Sequence, residues 1–445
     1  MQRLPFHRRV LPWLFVLIFL FIAPAVVFYT AGYRWNSKKG VIEKNGTLII
    51  DSMPRGAKIF LNGQMLSDVT PVTLQNTAPG IYNIKLSLDG YHDWSKELSV
   101  EPERVTFATN VLLWPDKQPE LVTDSKVQTI FADADHQKLL IGIGNSEFID
   151  QIDILDAKTG KTTASHALPE KIKPAYTDWD TTGNKFLIYG TASDTQAVWL
   201  LQIKPFSIDR LPDGIYHWDN SLLTGISDGH KIEYAQNGSV IRLSKDADVF
   251  DILKEYFLKN IGGTNGLVLL KGAQANEGFV LPAGNWQFRF VLRDSLVLQD
   301  NERWLWIDLT QSPYSSVQAA GEWLQPLTIK HNTTYLIKNL NEIYTWKKNT
   351  EPLLVYRQSD PIAAVSWQAD GYDILVASSQ DIFMLNLDSR NGYNKTQLAH
   401  FDKITNASIY EDTVFITGTL GGKQGLWKLA LTASYSTIPQ LNYLQ

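Results

Sequence analysis

Three pairs of carboxylates stand at a spacing that can place two acids on one side of a turn: Asp133 with Asp135, Asp178 with Asp180, and Asp246 with Asp248. Such pairs serve as calcium ligands or as the acid and base of a glycosidase. Each also sits where a turn between strands needs an Asx side chain to cap the backbone, and the turn reading is preferred. The eight histidines, His7, His92, His136, His166, His217, His230, His331 and His400, are scattered, and a metal site would require several to converge in space. Cysteine is absent, which excludes disulfides, thiolate metal sites and cysteine nucleophiles together. His-Glu-x-x-His, Gly-x-Ser-x-Gly, a phosphate loop, GxGxxG and an EF-hand loop are missing as well. No catalytic, cofactor-binding or metal-ligating residue is therefore assigned, and no cofactor is expected.

The elements that would position any site begin with Val10 to Thr30, 21 residues without a charged side chain. As a helix this stretch spans roughly 30 Å, the thickness of a bilayer's hydrocarbon core. Trp13 lies near one end, with Tyr29, Tyr33 and Trp35 near the other, where aromatic rings favour the headgroup interface. Ala23-Pro24-Ala25 would also suit signal-peptide cleavage, but Val26 to Tyr29 carry the apolar run past that cut. A retained anchor is expected over a cleaved leader or a buried core helix. Arg3, Arg8 and Arg9 before the span balance Arg34, Lys38 and Lys39 after it, so charge alone does not orient it. Residues 1–9 are expected as a cytoplasmic head, 10–30 as the span, 31–45 as a polar linker, and the remainder outside the cytoplasm.

The chain has 445 residues and a net charge of −5, with both signs interspersed and no basic block. Nucleic acid is thus not an expected partner. From Gly46 the text turns to strands. Leu48 and Ile50 alternate, Pro54-Arg55-Gly56 turns, Ile59 and Leu61 resume, and Asn62-Gly63 is a strong hairpin signal. Thr70-Pro71, Pro79-Gly80 and Gly90-Tyr91 mark further turns among short strands.

Residues Gly46 to Leu113 resemble a PEGA domain, on Pro54-Arg55-Gly56-Ala57, Leu61-Asn62-Gly63, Thr70-Pro71, Pro79-Gly80-Ile81-Tyr82 and Gly90-Tyr91. Arg55 stands where the family has Glu, at a turn position expected to face water. The resemblance implies a small β-sandwich over 46–114, surface-exposed and non-catalytic. Tyr82, Tyr91 and Trp94 could form an aromatic binding patch, but their alternation assigns most of them to the interior.

From Glu120 to the end, 120–445, a unit of roughly 40 residues repeats, the period of a β-propeller blade. An apolar strand recurs at Lys138, Lys185, Ser221, Gly266, Ser295, Thr334, Asp373 and Thr413. The copies at Gly266 and Ser295 stand only 29 residues apart, which leaves seven or eight blades open. Trp179 and Trp367 occupy matching places, and Asp246 to Asn260 is read as a helical insertion. The expected fold is all-β: an N-terminal transmembrane helix, a small PEGA-like sandwich, and a seven- or eight-bladed propeller resembling WD-repeat-like and bacterial envelope propellers. The expected function is a single-pass, extracytoplasmic binding or scaffold protein of the cell envelope. Its partners would be the lipid bilayer through Val10 to Thr30 and an envelope protein or cell-wall polysaccharide. The alternative is a propeller hydrolase or lyase, with paired acids in the central funnel acting on surface glycans or peptides.

Overall fold

A computed structural model describes residues 6–30, 32–36, 41–133, 138–145, 147–156, 159–219, 222–228, 230–234, 240–245, 249–260, 267–272, 278–292, 294–329, 332–347, 350–410 and 412–431. They comprise one helix and forty strands, divided between two units. The first unit is Met1–Asp116 with Asn386–Thr396; the second is Lys117–Leu385 with Gln397–Gln445.

In the first unit the helix spans Phe6–Thr30, taking in part of the expected head. Its stretch Trp13–Thr30 is long and apolar enough to cross a membrane. Phe21 is 74% exposed and none of that stretch is buried against protein, which argues against a core helix. The expected linker instead contains a hairpin, Tyr33–Asn36 paired with Val41–Lys44. Its aromatic and β-branched residues favour strands over a polar tether.

The rest of the unit is a sandwich. One sheet runs Val72–Thr77, Gly46–Met53, Val105–Leu112, the last two parallel; the other runs Gln64–Val69, Lys58–Leu61, Gly80–Ser87, Trp94–Val100. Alternate residues of Gly46–Met53 and Trp94–Val100 face inward, and Leu48, Ile50, Ile59, Ile84, Leu86 and Leu98 make the core. Asn62 and Gly63 both have positive φ, 51° and 82°, as the two-residue hairpin turn requires. Arg55 is exposed, as expected. Trp94 is buried, while Tyr82 and Tyr91 pack partly against the core, so the aromatic patch is not formed. Lys96 shares the inward-facing set of Trp94–Val100, and its ammonium donates to the carbonyls of Asp388 (2.6 Å) and Gly392 (3.1 Å). Burial pulls its pKa down, against the attraction of the Asp388 carboxylate.

The second unit is a series of antiparallel meanders. The first two share the long strand Thr162–Trp179: residues 162–172 pair with Phe148–Leu155, and 173–179 with Lys185–Ala192. Five four-stranded meanders follow in chain order, opening with Ile215–Asp219, Val249–Leu253, Gln287–Val291, Trp323–Ile329 and Ile362–Trp367. The eighth contains Lys403–Tyr410, Thr413–Leu420 and Lys423–Ala430, and its fourth strand is Glu120–Thr123, from the start of the unit.

Seven of the eight apolar stretches anticipated from sequence fall on second strands; the one at Gly266 falls on a third strand, Leu267–Lys271. That difference explains the short spacing to Ser295. The second strand of the fourth meander is Tyr256–Asn260, inside the stretch read as helical. Over its described part, that stretch is the hairpin Val249–Leu253 and Tyr256–Asn260, with Lys254 at φ 55° in the turn. Val249, Ile252, Leu253 and Tyr256 stand at the i, i+3, i+4, i+7 spacing of a helical stripe, yet strand pairing prevails because each strand completes a sheet.

Each meander packs on the next. Phe131 meets Phe186, with ring centres 5.7 Å apart, Tyr356 meets Phe383 at 5.3 Å, and Phe401 meets Trp427 at 6.0 Å. Phe288 of the fifth shares a core with Leu258 of the fourth, and Trp306 of the fifth shares one with Tyr335 of the sixth. Phe415 of the eighth packs with Leu139 of the first. Indoles reinforce the series: Trp218 Nε1 donates to the Asp178 carbonyl (2.9 Å), and Trp367 Nε1 to the Gln325 carbonyl (3.2 Å), each joining first strands of consecutive meanders.

Candidate functional site

The first strands of the second to fifth meanders bring polar side chains together from distant parts of the chain. Three of these strands are short and mostly apolar, with a charged or ionisable residue at the centre: His217 in Ile215–Asp219, Asp251 in Val249–Leu253, Arg289 in Gln287–Val291. An apolar strand holds its polar residue only where partners await it. Asp251 is fully buried and has three. Its Oδ1 accepts from His217 Nε2 and from the Ile252 amide, and its Oδ2 accepts from the Phe288 amide, all at 2.8 Å. One carboxylate thus ties the third, fourth and fifth meanders, and His217, itself buried, must carry its donating proton on Nε2.

Arg289 reaches across to the second meander. Its Nη1 donates to the Tyr176 hydroxyl (2.8 Å), its guanidinium carbon lies 4.5 Å from the Tyr176 ring centre, and its Nε donates to Gln299 Oε1 (2.7 Å). Tyr176 stacks on Tyr189 with ring centres 4.2 Å apart, and the Tyr189 hydroxyl donates to the Tyr216 carbonyl. Tyr176 keeps 37% of its surface exposed, yet burial pushes its phenol up to about 12. Asp178, half-buried two residues along the same strand, is raised to about 6; burial drives the shift against the pull of His217 and Arg289.

Next to this cluster lies a cavity of about 390 Å³ lined by Asp219, Lys254, Glu255, Tyr256, Val291 and Leu292. Asp219 and Val291 each lie two residues beyond a cluster member on the same strand, a step of about 7 Å. The cavity therefore opens at one end of the cluster.

For Asp178 and Asp180 the structure shows the preferred turn reading at Asp180 and no acid pair. Asp178 joins the cluster, whereas Asp180 caps its turn: its Oδ1 accepts from the amides of Asn184 and Lys185 (both 3.0 Å), and its Oδ2 from the Thr182 hydroxyl (2.5 Å). Asp135, Asp246 and Asp248 lie outside the described residues, as does the side chain of Asp133. Of the described histidines, His217 alone belongs to the cluster. His166 stacks on Phe206, His230 bonds the Asp228 carbonyl, His400 pairs with Asp381 at 2.7 Å, and His92 lies 3.8 Å from Asp116. His136 and His331 lie outside the described residues, as does the side chain of His7. No group of three or more His, Cys, Asp or Glu is placed to hold a metal among the described residues. Sequence reasoning missed Tyr176, Asp251 and Arg289; the charged residue centred in a short apolar strand was the available signal.

Residues 45–113 match the PEGA domain. That span coincides with the sandwich, and with the resemblance drawn from its turn residues. Solved structures similar to the chain include the C-terminal WD40 domain of Sif2, at 12% identity and a TM-score of 0.46, over 71% of this chain and 99% of that one. The β-propeller domain of Cps50 (Swd1) from Myceliophteria thermophila is similar at 10% identity and a TM-score of 0.41, over 70% and 100%. The Dos1 propeller is similar at 16% and 0.42, over 71% and 95%. No curated protein matches the chain.

Proposed function

We propose that the chain is a membrane-anchored, single-pass binding or scaffold protein of the cell envelope, with its mass outside the cytoplasm. In this reading the second unit is a closed propeller of eight blades that docks another protein. The blade count is supported by eight meanders, each packed on its neighbour. Closure is supported by the pairing of Glu120–Thr123 with Lys423–Ala430, which joins the start of the unit to its end. The anchor is supported by the exposed apolar helix.

One observation carries binding over catalysis: the two strongest charges of the cluster, Asp251 and Arg289, are already held by neighbouring groups. Asp251 accepts three hydrogen bonds and Arg289 is engaged by both Tyr176 and Gln299, so neither is free for acid–base work. Crosslinking of the full-length protein in its native membranes tests the partner. A discrete protein adduct that survives digestion of the cell wall is expected. Retention on isolated, protein-stripped walls without any protein adduct would replace the protein partner by a glycan.

The rival reading, a hydrolase or lyase of surface glycans or peptides, is favoured by Asp178, whose raised pKa suits a general acid. It requires cleavage of wall glycan or envelope peptide by the purified protein that is lost in Asp178→Asn. Such activity would overturn the binding reading.

A further inference from the structure

We infer that the PEGA sandwich rests directly on the lipid surface, and that the end formed by residues 76–81 and 101–105 is its docking face. This rests on the reading of Phe6–Thr30 as a membrane anchor.

Twelve residues separate Gly32 from Asn45, and their thirteen Cα steps, fully extended, would span about 43–47 Å. The hairpin cancels that reach. Tyr33 pairs with Lys44 and Asn36 with Val41, so the chain returns to its starting point, and the Asn45 amide donates to the Gly32 carbonyl at 3.3 Å. At the other side of that contact, the Gly32 amide donates to the Tyr29 carbonyl, inside the last turn of the helix, and the Tyr33 ring meets Phe28 edge-on at 5.3 Å. The helix terminus and the first residue of the sandwich are therefore adjacent.

Asn45 is in turn fastened to the sandwich. Its Nδ2 donates to the Asn76 carbonyl (2.7 Å), and its carbonyl accepts from the Glu103 amide (3.1 Å). The Lys44 ammonium pairs with Glu103, and Gly46 has no room for a Cβ against the Glu101 and Arg104 carbonyls. Loops 76–80 and 101–104 thus sit beside the helix terminus, one on each side of Asn45.

Large apolar side chains are exposed at this end. Ile81 is 70% accessible and follows Gly80, which pairs with Val100; Val105 is 47% accessible and pairs with Thr47, two residues from Asn45. A strand step of two residues is about 7 Å, which keeps Val105 at the level of the headgroups when the helix terminus lies at the interface. Among the described residues beside Asn45, Lys44 pairs with Glu103 and Arg104 with Glu101 at 2.6 Å, so the contact at Ile81 and Val105 is apolar. Continuity with the inserted helix selects lipid over a protein as the occupant of this end.

The chain's lack of cysteine makes the test direct. Ile81→Cys, Val105→Cys and Asp89→Cys, the last at the opposite end of the strand carrying Ile81, are labelled with bimane in the full-length protein. They are then reconstituted in phosphatidylcholine vesicles containing a headgroup nitroxide lipid. Labels at 81 and 105 are expected to be quenched at least threefold more than the label at 89. Equal quenching at all three positions in protein that floats with the vesicles overturns the docking face. Protein that fails to float overturns the anchor itself, and the inference with it. Replacing residues 33–44 by a Gly-Ser linker of equal length supplies a second measurement. It is expected to abolish the difference, and a difference that persists shows that the hairpin does not hold the sandwich down.

Discussion

Replacing Asp251 by Asn keeps the shape of the side chain and removes its ability to accept on both sides. One oxygen can still serve either the Ile252 amide and His217, or the Phe288 amide, but the new NH2 then faces a donor at the other position. A buried N–H left unsatisfied costs about 1–3 kcal/mol, and the lost charge-assisted bonds add to it. For a fully buried carboxylate the total is about 3–5 kcal/mol, in line with breaking a buried pair. At about 2 °C per kcal/mol for a large domain, Tm falls by roughly 6–10 °C. The assay is thermal and denaturant unfolding of the detergent-solubilised full chain, followed by tryptophan fluorescence, for Asp251→Asn, His217→Phe and the double variant. A coupling of about 2 kcal/mol between the two sites is expected, because His217 has its partner in Asp251. A loss below about 1 kcal/mol for Asp251→Asn, or strict additivity in the double variant, would refute the idea that one carboxylate ties three meanders.

Asp178 predicts a pH dependence. Its carboxyl is raised from 3.8 to about 6, so the folded protein keeps a proton that the unfolded chain releases; the contribution of this one group to stability is fully present below pH 4 and is lost as pH rises through 6. The loss approaches about 3 kcal/mol above pH 7, and Asp178→Asn should melt higher than the parent there and match it near pH 4; parallel curves from pH 4 to 8 would contradict this. Trp367→Phe removes the bond to the Gln325 carbonyl and part of a buried indole, with an expected cost of about 2 kcal/mol in denaturant unfolding. Asp180→Ala strips the cap from the turn before Lys185 and should cost about 1–2 kcal/mol. Because that carboxylate already serves its own turn, the parent's melting curves in millimolar calcium and in EDTA should coincide.

Local chemistry made much of this fold legible. The uncharged run from Val10, the Asn62-Gly63 turn and the alternation of Leu48 and Ile50 each specify their element within a few residues, and the structure holds all three. The repeat was legible for the same reason: Trp179 and Trp367 each end a first strand, and Gly183 and Gly371, four residues later, each take a positive φ in the turn that follows. What was not legible depended on distance or on context. Val249 to Asn260 has apolar spacing compatible with either period, and only the neighbouring sheet decides for strands. Tyr176 and Arg289 are 113 residues apart, and nothing near either one announces the other. Asp178 stood out as one of a pair, yet its true neighbours, His217 and Arg289, lie on other meanders.

The pairing of Glu120–Thr123 with Lys423–Ala430 also sets an order of events during synthesis. The earlier strand leaves the ribosome about 300 residues ahead of its partner, a delay of about 15–60 s at 5–20 residues per second. Throughout that interval the newborn chain carries an open strand edge, and its shortness, four residues, limits wrong pairing. A polypeptide truncated before Lys423 never acquires the final sheet, so a late nonsense mutation is expected to yield a protease-sensitive product rather than a shorter working one.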